Sequence, residues 1–209
     1  MAKNKSNTTG LLLAGGALLL AGGALLYFKN RNKKETTSET KAIEDIGNNP
    51  AAQQAAALYK YLGVTSTFGK YSAWAYSNDE YGVYNTCLEV TNIKALSQKF
   101  AQLCNSSFSL NDAMTGGLYD SQYAQAMQYL RAKKVVTTKE TPITLSGGTA
   151  LGIQTKTIPA NTVLGAYIST TTLTTNGTSA QYYRFVNEAT KSGEVVGLIK
   201  ASDAQLVTP

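Results

Sequence analysis

Residues 11–28, LLLAGGALLLAGGALLYF, constrain this chain more than any other stretch: eighteen consecutive positions carry no charge and no strongly polar side chain. As a helix they span roughly 27 Å, close to the ~30 Å hydrocarbon core of a bilayer. Three fates compete for such a run: a membrane helix, a cleaved signal peptide and a buried core helix. Lys3 and Lys5 supply the basic start of a signal peptide, but the apolar run continues into LLYFKNRNKK, which stops transfer. A core helix tolerates polar residues on one face, and none is present. The expectation is a single retained transmembrane helix, with Leu11, Leu18, Leu25 and Phe28 among its spanning residues.

The tetrad AGGA occurs twice, seven residues apart, and places Ala14, Ala17, Ala21 and Ala24 on one seam, widened by Gly15 and Gly22. Small residues at this spacing let two helices approach closely in lipid, so self-association is expected there. Lys29, Arg31, Lys33 and Lys34 follow the run and suit anionic lipid headgroups. Their excess over the N-terminal flank places residues 29–209 on the cytoplasmic side by the positive-inside rule.

The net charge of +6 sits at this N-terminus: six of the 19 basic residues precede Glu35, and from Glu35 onward basic and acidic residues balance. A nucleic-acid surface needs a concentrated basic face on the folded part, so no nucleic-acid partner is expected. The chain has no histidine, which removes the usual catalytic triads. It carries no phosphate-binding glycine loop and no Cys-x-x-Cys pair. Asp79 and Glu80 are adjacent, point apart on a helix, and read as helix-capping acids rather than a hydrolytic pair. No catalytic residue, metal site or cofactor is expected. Cys87 and Cys104 are too few for a disulfide framework and read as small buried side chains.

The remaining chain divides by composition. Residues 1–10 are a basic tail, 11–28 the apolar helix and 29–49 a polar linker. Residues 50–134 carry helical patterning: Pro50 opens a helix ended by Gly63, Asn78 or Ser77 caps a second, a third begins near Leu110, and DSQYAQAMQYLRAKK forms another. From Val135 to Pro209 the chain is rich in Thr, Val and Ile with turn signals about every ten residues, which predicts a small all-β barrel or sandwich. The expected fold class is an N-terminal transmembrane helix, a small all-α domain and a small all-β barrel, α+β in sum.

Two resemblances refine this reading. Residues 74–131 resemble an annexin-type helical repeat through the capped acidic start Asn78-Asp79-Glu80, the Leu88…Ile93 pair, the Phe100…Leu103 helix and the short helix at Leu110–Met114. The loop WAYSND lacks the glycines of an annexin calcium site, so only the packing unit carries over. IPANTVLGAYI, YYRF and GLIKASDAQLV resemble segments of a bacterial Src-homology-3-like barrel. That resemblance implies a face for cell-wall peptides or glycans at Tyr167, Tyr182, Tyr183 and Phe185, although aromatic residues at alternate strand positions more often form a core.

The whole looks like a small structural protein of membrane-containing bacteriophages. The expected function is accordingly a virion scaffold, partnered by the lipid membrane and capsid-type shell proteins and located in the virion or host inner membrane. The alternative is a cell-envelope-anchored module that binds peptidoglycan through the C-terminal barrel. A third reading, an enzyme in the helical part, requires two acids facing one cleft.

Overall fold

The computed structural model describes residues 49–147 and 153–209. The expected spanning residues Leu11, Leu18, Leu25 and Phe28, the packing seam Ala14, Gly15, Ala17, Ala21, Gly22 and Ala24, and the headgroup residues Lys29, Arg31, Lys33 and Lys34 lie outside the described residues.

Helix α1 (Pro50–Tyr61) begins where Asn49 accepts hydrogen bonds from the N–H groups of Ala51 and Ala52, with Pro50 at a position that needs no N–H. Its alanine-rich face, with Leu58 and Tyr59, is buried. A short hairpin follows, β1 (Thr65–Thr67) and β2 (Lys70–Ser72), closed by Phe68 and Gly69, both at positive φ. Trp74 then leads into a 3₁₀ turn at Ala75–Ser77.

Helix α2 (Glu80–Glu89) is capped by Asp79, which accepts from the N–H of Gly82. The cap is therefore one residue beyond the expected Asn78, whose amide instead donates to the carbonyl of Gly117 at 2.7 Å. An extended Val90 separates α2 from α3 (Ile93–Leu103), and Asn92 caps the latter. A capping box of Ser109 and Asp112 opens α4 (Leu110–Gly117), and α5 (Asp120–Arg131) closes the helical part.

Seven strands form one antiparallel sheet: β3 (Lys134–Thr137), β4 (Thr141–Ser146), β5 (Gln154–Ile158), β6 (Val163–Thr175), β7 (Thr178–Thr190), β8 (Gly193–Lys200) and β9 (Ala204–Val207). Their order is β5-β4-β8-β7-β6-β3-β9. The long β6–β7 hairpin turns at Asn176-Gly177, both at positive φ, the backbone a two-residue hairpin requires. Val135, Ile143, Ile158, Leu164, Phe185, Ile199 and Ala204, one from each strand, meet in a single apolar cluster. Side chains from all seven strands reach one core only when the sheet curls around it.

Among the described residues no helix is long and apolar enough to cross a membrane, and it is in these residues that the fold class expected from the sequence needs correcting. The β region is not a small barrel of short strands: β6 and β7 each run 13 residues, and β5 and β9 remain as edges of an open, curled sheet. Nor is the helical core closed off from the sheet. Ala166, Val186 and Ala189 of β6 and β7 belong to the same apolar cluster as Val83, Leu88 and Leu96 of the helices. A strand buries alternate side chains on opposite faces, so β7 serves both cores: Phe185 points into the curl, Val186 towards the helices. The result is one mixed α+β body with two cores sharing a sheet.

Candidate functional site

Where the helical part meets the sheet, a cleft of about 340 Å³ opens between α2, α5 and the β7–β8 turn. Helical spacing supplies its walls: Glu80, Tyr81 and Tyr84 share one side of α2, and Gln122, Gln125 and Tyr129 share one side of α5. The sheet supplies Thr190, Gly193 and Glu194. Their turn is held by the Thr190 hydroxyl, which donates to the Gly193 carbonyl at 2.8 Å.

Three tyrosine rings make a ladder of edge-to-face contacts. Tyr84 lies 5.8 Å from Tyr81 at 88° and 5.8 Å from Tyr129 at 77°. Such pairs hold ring orientation beyond what burial alone does. The Tyr129 hydroxyl donates to Glu194 Oε1, fixing a carboxylate of the sheet against a helix. On the other wall Gln122 Nε2 donates to Glu80 Oε2, while Gln122 Oε1 accepts from Asn78 Nδ2 and from the N–H of Tyr119, each at 3.0 Å.

Burial, with Glu80 nearby, pushes the Tyr84 phenol up to about 12. Burial and the hydrogen bond to Glu194 likewise raise that of Tyr129. Both phenols therefore stay neutral donors across the physiological range. The cleft thus combines fixed aromatic rings, two amides and two carboxylates, and none of the residues lining it is cationic. It offers hydrogen-bond acceptors and ring faces to neutral, hydroxyl-bearing ligands, and its carboxylates repel anions.

A second cleft of about 610 Å³ continues past Glu194 along the sheet, lined by Ser169, Thr171, Arg184 and Leu198 among others. Among the described residues no group of three or more Cys, Asp or Glu side chains is placed to hold a metal ion.

The four aromatic residues expected to form a ligand face are not brought together on one. Phe185 is wholly buried in the curl of the sheet. Tyr167 and Tyr183 stand edge-to-face at 5.8 Å and pack against that same core. Tyr182, one residue from Tyr183 on β7, points to the opposite face. Asp79 and Glu80 separate as their positions imply: Asp79 caps α2 and Glu80 reaches the cleft. Sequence reasoning missed Gln122, Gln125, Tyr129 and Glu194 as site residues. The available signal was the i, i+3, i+7 recurrence of Gln122, Gln125 and Tyr129 on α5, a polar stripe ending in an aromatic ring.

Residues 6–35 match the family model of the LPXTG cell wall anchor motif. No Leu-Pro-x-Thr-Gly string occurs in the chain, since none of its four prolines follows a leucine. The match therefore rests on the apolar run and the basic residues after it. No curated protein and no solved structure matches the chain. The match corrects the expected location: an anchor of this type marks a cell-wall-attached surface protein, not a single-pass protein whose body faces the cytoplasm or a capsid. It speaks for the envelope reading rather than the virion one, and the N-terminal segment of this chain is similar to a cell wall anchor.

Proposed function

We propose that this chain is a cell-envelope-anchored binding module: its N-terminal segment holds it at the envelope, and its cleft grips the glycan of the wall non-covalently. The cleft carries the proposal. Sugar rings present apolar C–H faces and a rim of hydroxyl and N-acetyl groups. Tyr81 and Tyr84 supply ring faces and edges, and Gln125, Glu80 and Glu194 supply polar partners. The absence of any cation from the lining disfavours nucleic acids and phosphate-rich polymers, while a glycan with amidated side groups is tolerated. The similarity of residues 6–35 to a wall anchor supplies the setting. The barrel tyrosines that the sequence pointed to are replaced in this role by the tyrosines of α2 and α5.

Co-sedimentation of the full chain with purified insoluble peptidoglycan tests the reading. The wild type is expected in the pellet, and a Tyr81→Ala/Gln125→Ala variant, checked for its fold by circular dichroism, in the supernatant, since both side chains are only partly buried. Equal pelleting of the two proteins would remove the cleft from the account.

A further inference from the structure

The cleft does not end at Glu80. The residues just before α2 expose large aromatic side chains: Trp74 is 54% exposed, Tyr76 79% and, beside the same helix start, Tyr119 57%. The rings of Trp74 and Tyr76 lie stacked, with centroids 6.3 Å apart and planes inclined by 28°, so the pair presents its outer ring face and edges as one aromatic platform. Exposed aromatic groups of this kind mark interaction sites.

Hydrogen bonds tie the platform to the cleft. Asn78, two residues after Tyr76, donates to Gln122 Oε1 and to the Gly117 carbonyl, and Gln122 in turn donates to Glu80 on the cleft wall. Tyr119 hangs its own N–H on the same Gln122. Asn78 and Asp79 are extended, and the four steps from Tyr76 to Glu80 cover at most about 14 Å. The platform therefore lies within reach of a chain that leaves the cleft past Glu80.

We propose that Trp74 and Tyr76 form an outer subsite continuous with the cleft, so that the ligand is a neutral polysaccharide chain read over several sugar units rather than a mono- or disaccharide. This rests on the glycan reading of the cleft. The platform carries no charged side chain of its own, and a polymer stacking sugar faces on it requires none. A nucleic-acid strand would also stack on such rings but needs the cationic groove that the cleft walls lack.

Trp74 is the chain's one tryptophan, so its emission reports on the platform directly. The full chain is titrated with β-1,4-linked N-acetylglucosamine dimer and hexamer, following heat of binding and tryptophan fluorescence together. The hexamer is expected to bind on the order of tenfold more tightly than the dimer and to change the emission, while the dimer leaves it unchanged. Trp74→Ala and Tyr76→Ala, both at exposed positions, are expected to bring the hexamer down to the affinity of the dimer. Equal affinities with unchanged emission overturn the outer subsite and leave the cleft standing. No heat with either oligomer overturns both.

Discussion

The side-chain amide of Asn85 in α2 takes the place of a neighbouring strand for Ala189 of β7: its Nδ2 donates to the Ala189 carbonyl at 3.1 Å, and its Oδ1 accepts from the Ala189 N–H at 2.8 Å. The β6–β7 ladder ends at Val186, so no β6 residue pairs with Ala189. One helix residue thereby satisfies both backbone groups and joins the two cores at the floor of the cleft. Asn85→Ala leaves a buried donor and acceptor unpaired and is expected to destabilise the protein by about 2–4 kcal/mol. Asn85→Asp keeps the acceptor but turns a second carboxylate oxygen towards the Ala189 carbonyl, so it is expected to destabilise as well. Urea denaturation of the three proteins ranks them, and equal midpoints would show that the pair contributes nothing.

Phe185 lies directly opposite Gly197 on β8, and its ring covers the glycine so closely that a Cβ there would stand 2.2 Å from Cζ. The glycine's role is to admit the ring, because its φ is ordinary and only space is at stake. Gly197→Ala is expected to cost about 1–3 kcal/mol by overpacking. Adding Phe185→Leu frees the space and should recover part of that loss, although Phe185→Leu alone destabilises. The double-mutant cycle is therefore expected to show strong non-additivity, and additive losses would contradict the contact.

The same residues show how far the sequence speaks. Pro50 and Gly63 mark both ends of α1, and Asn176-Gly177 marks the long hairpin, because each acts through its own backbone. The curl of the sheet is a different matter. Thr-rich segments with regular turns fit a barrel and an open sheet equally, and the choice depends on which strands become edges. The hairpin at Thr65–Ser72 has strands of three residues and no apolar alternation, so no pattern announces it. The cleft was hidden for a topological reason: Tyr129 and Glu194 are 65 residues apart, and only the return of β8 beside β7 brings them into contact. Tyr84 belongs to the helical core, and its ring also walls the cleft.

Asp203 gathers the end of the sheet. Lys139 Nζ lies 2.8 Å from one carboxylate oxygen, and the Thr141 hydroxyl donates to the other at 2.9 Å. Lys139 first, then the Ser202 hydroxyl, hold the carboxyl down to about 2. A depressed carboxyl contributes stability that is present above its ordinary value and lost as it protonates in the fold. Acid unfolding should therefore steepen between 3.8 and about 2. Asp203→Asn should flatten this interval and leave the profile above pH 5 parallel to wild type. Circular dichroism across a pH series reads the difference.

Lys134 has the opposite sign. Its side chain is fully buried, and Nζ donates to the carbonyls of Tyr129, Leu130 and Ala132, closing the C-terminal end of α5 from the first residue of β3. Burial pulls its amine down to about 8 from 10.5, while the nearby Cys87 thiol, itself raised to about 12 by burial, stays neutral. Between those two lysine values the unfolded chain holds a proton that the folded chain has released, so stability rises with pH across that window. Replacing Lys134 with methionine keeps the length of the side chain and removes the proton. The stability of wild type relative to Lys134→Met is therefore expected to climb by on the order of 2–3 kcal/mol from pH 8 to 10.5. Guanidinium denaturation of both proteins at half-unit intervals measures it. A constant difference would mean that the buried amine keeps its proton, and that the α5 carbonyls hold it more strongly than burial opposes it.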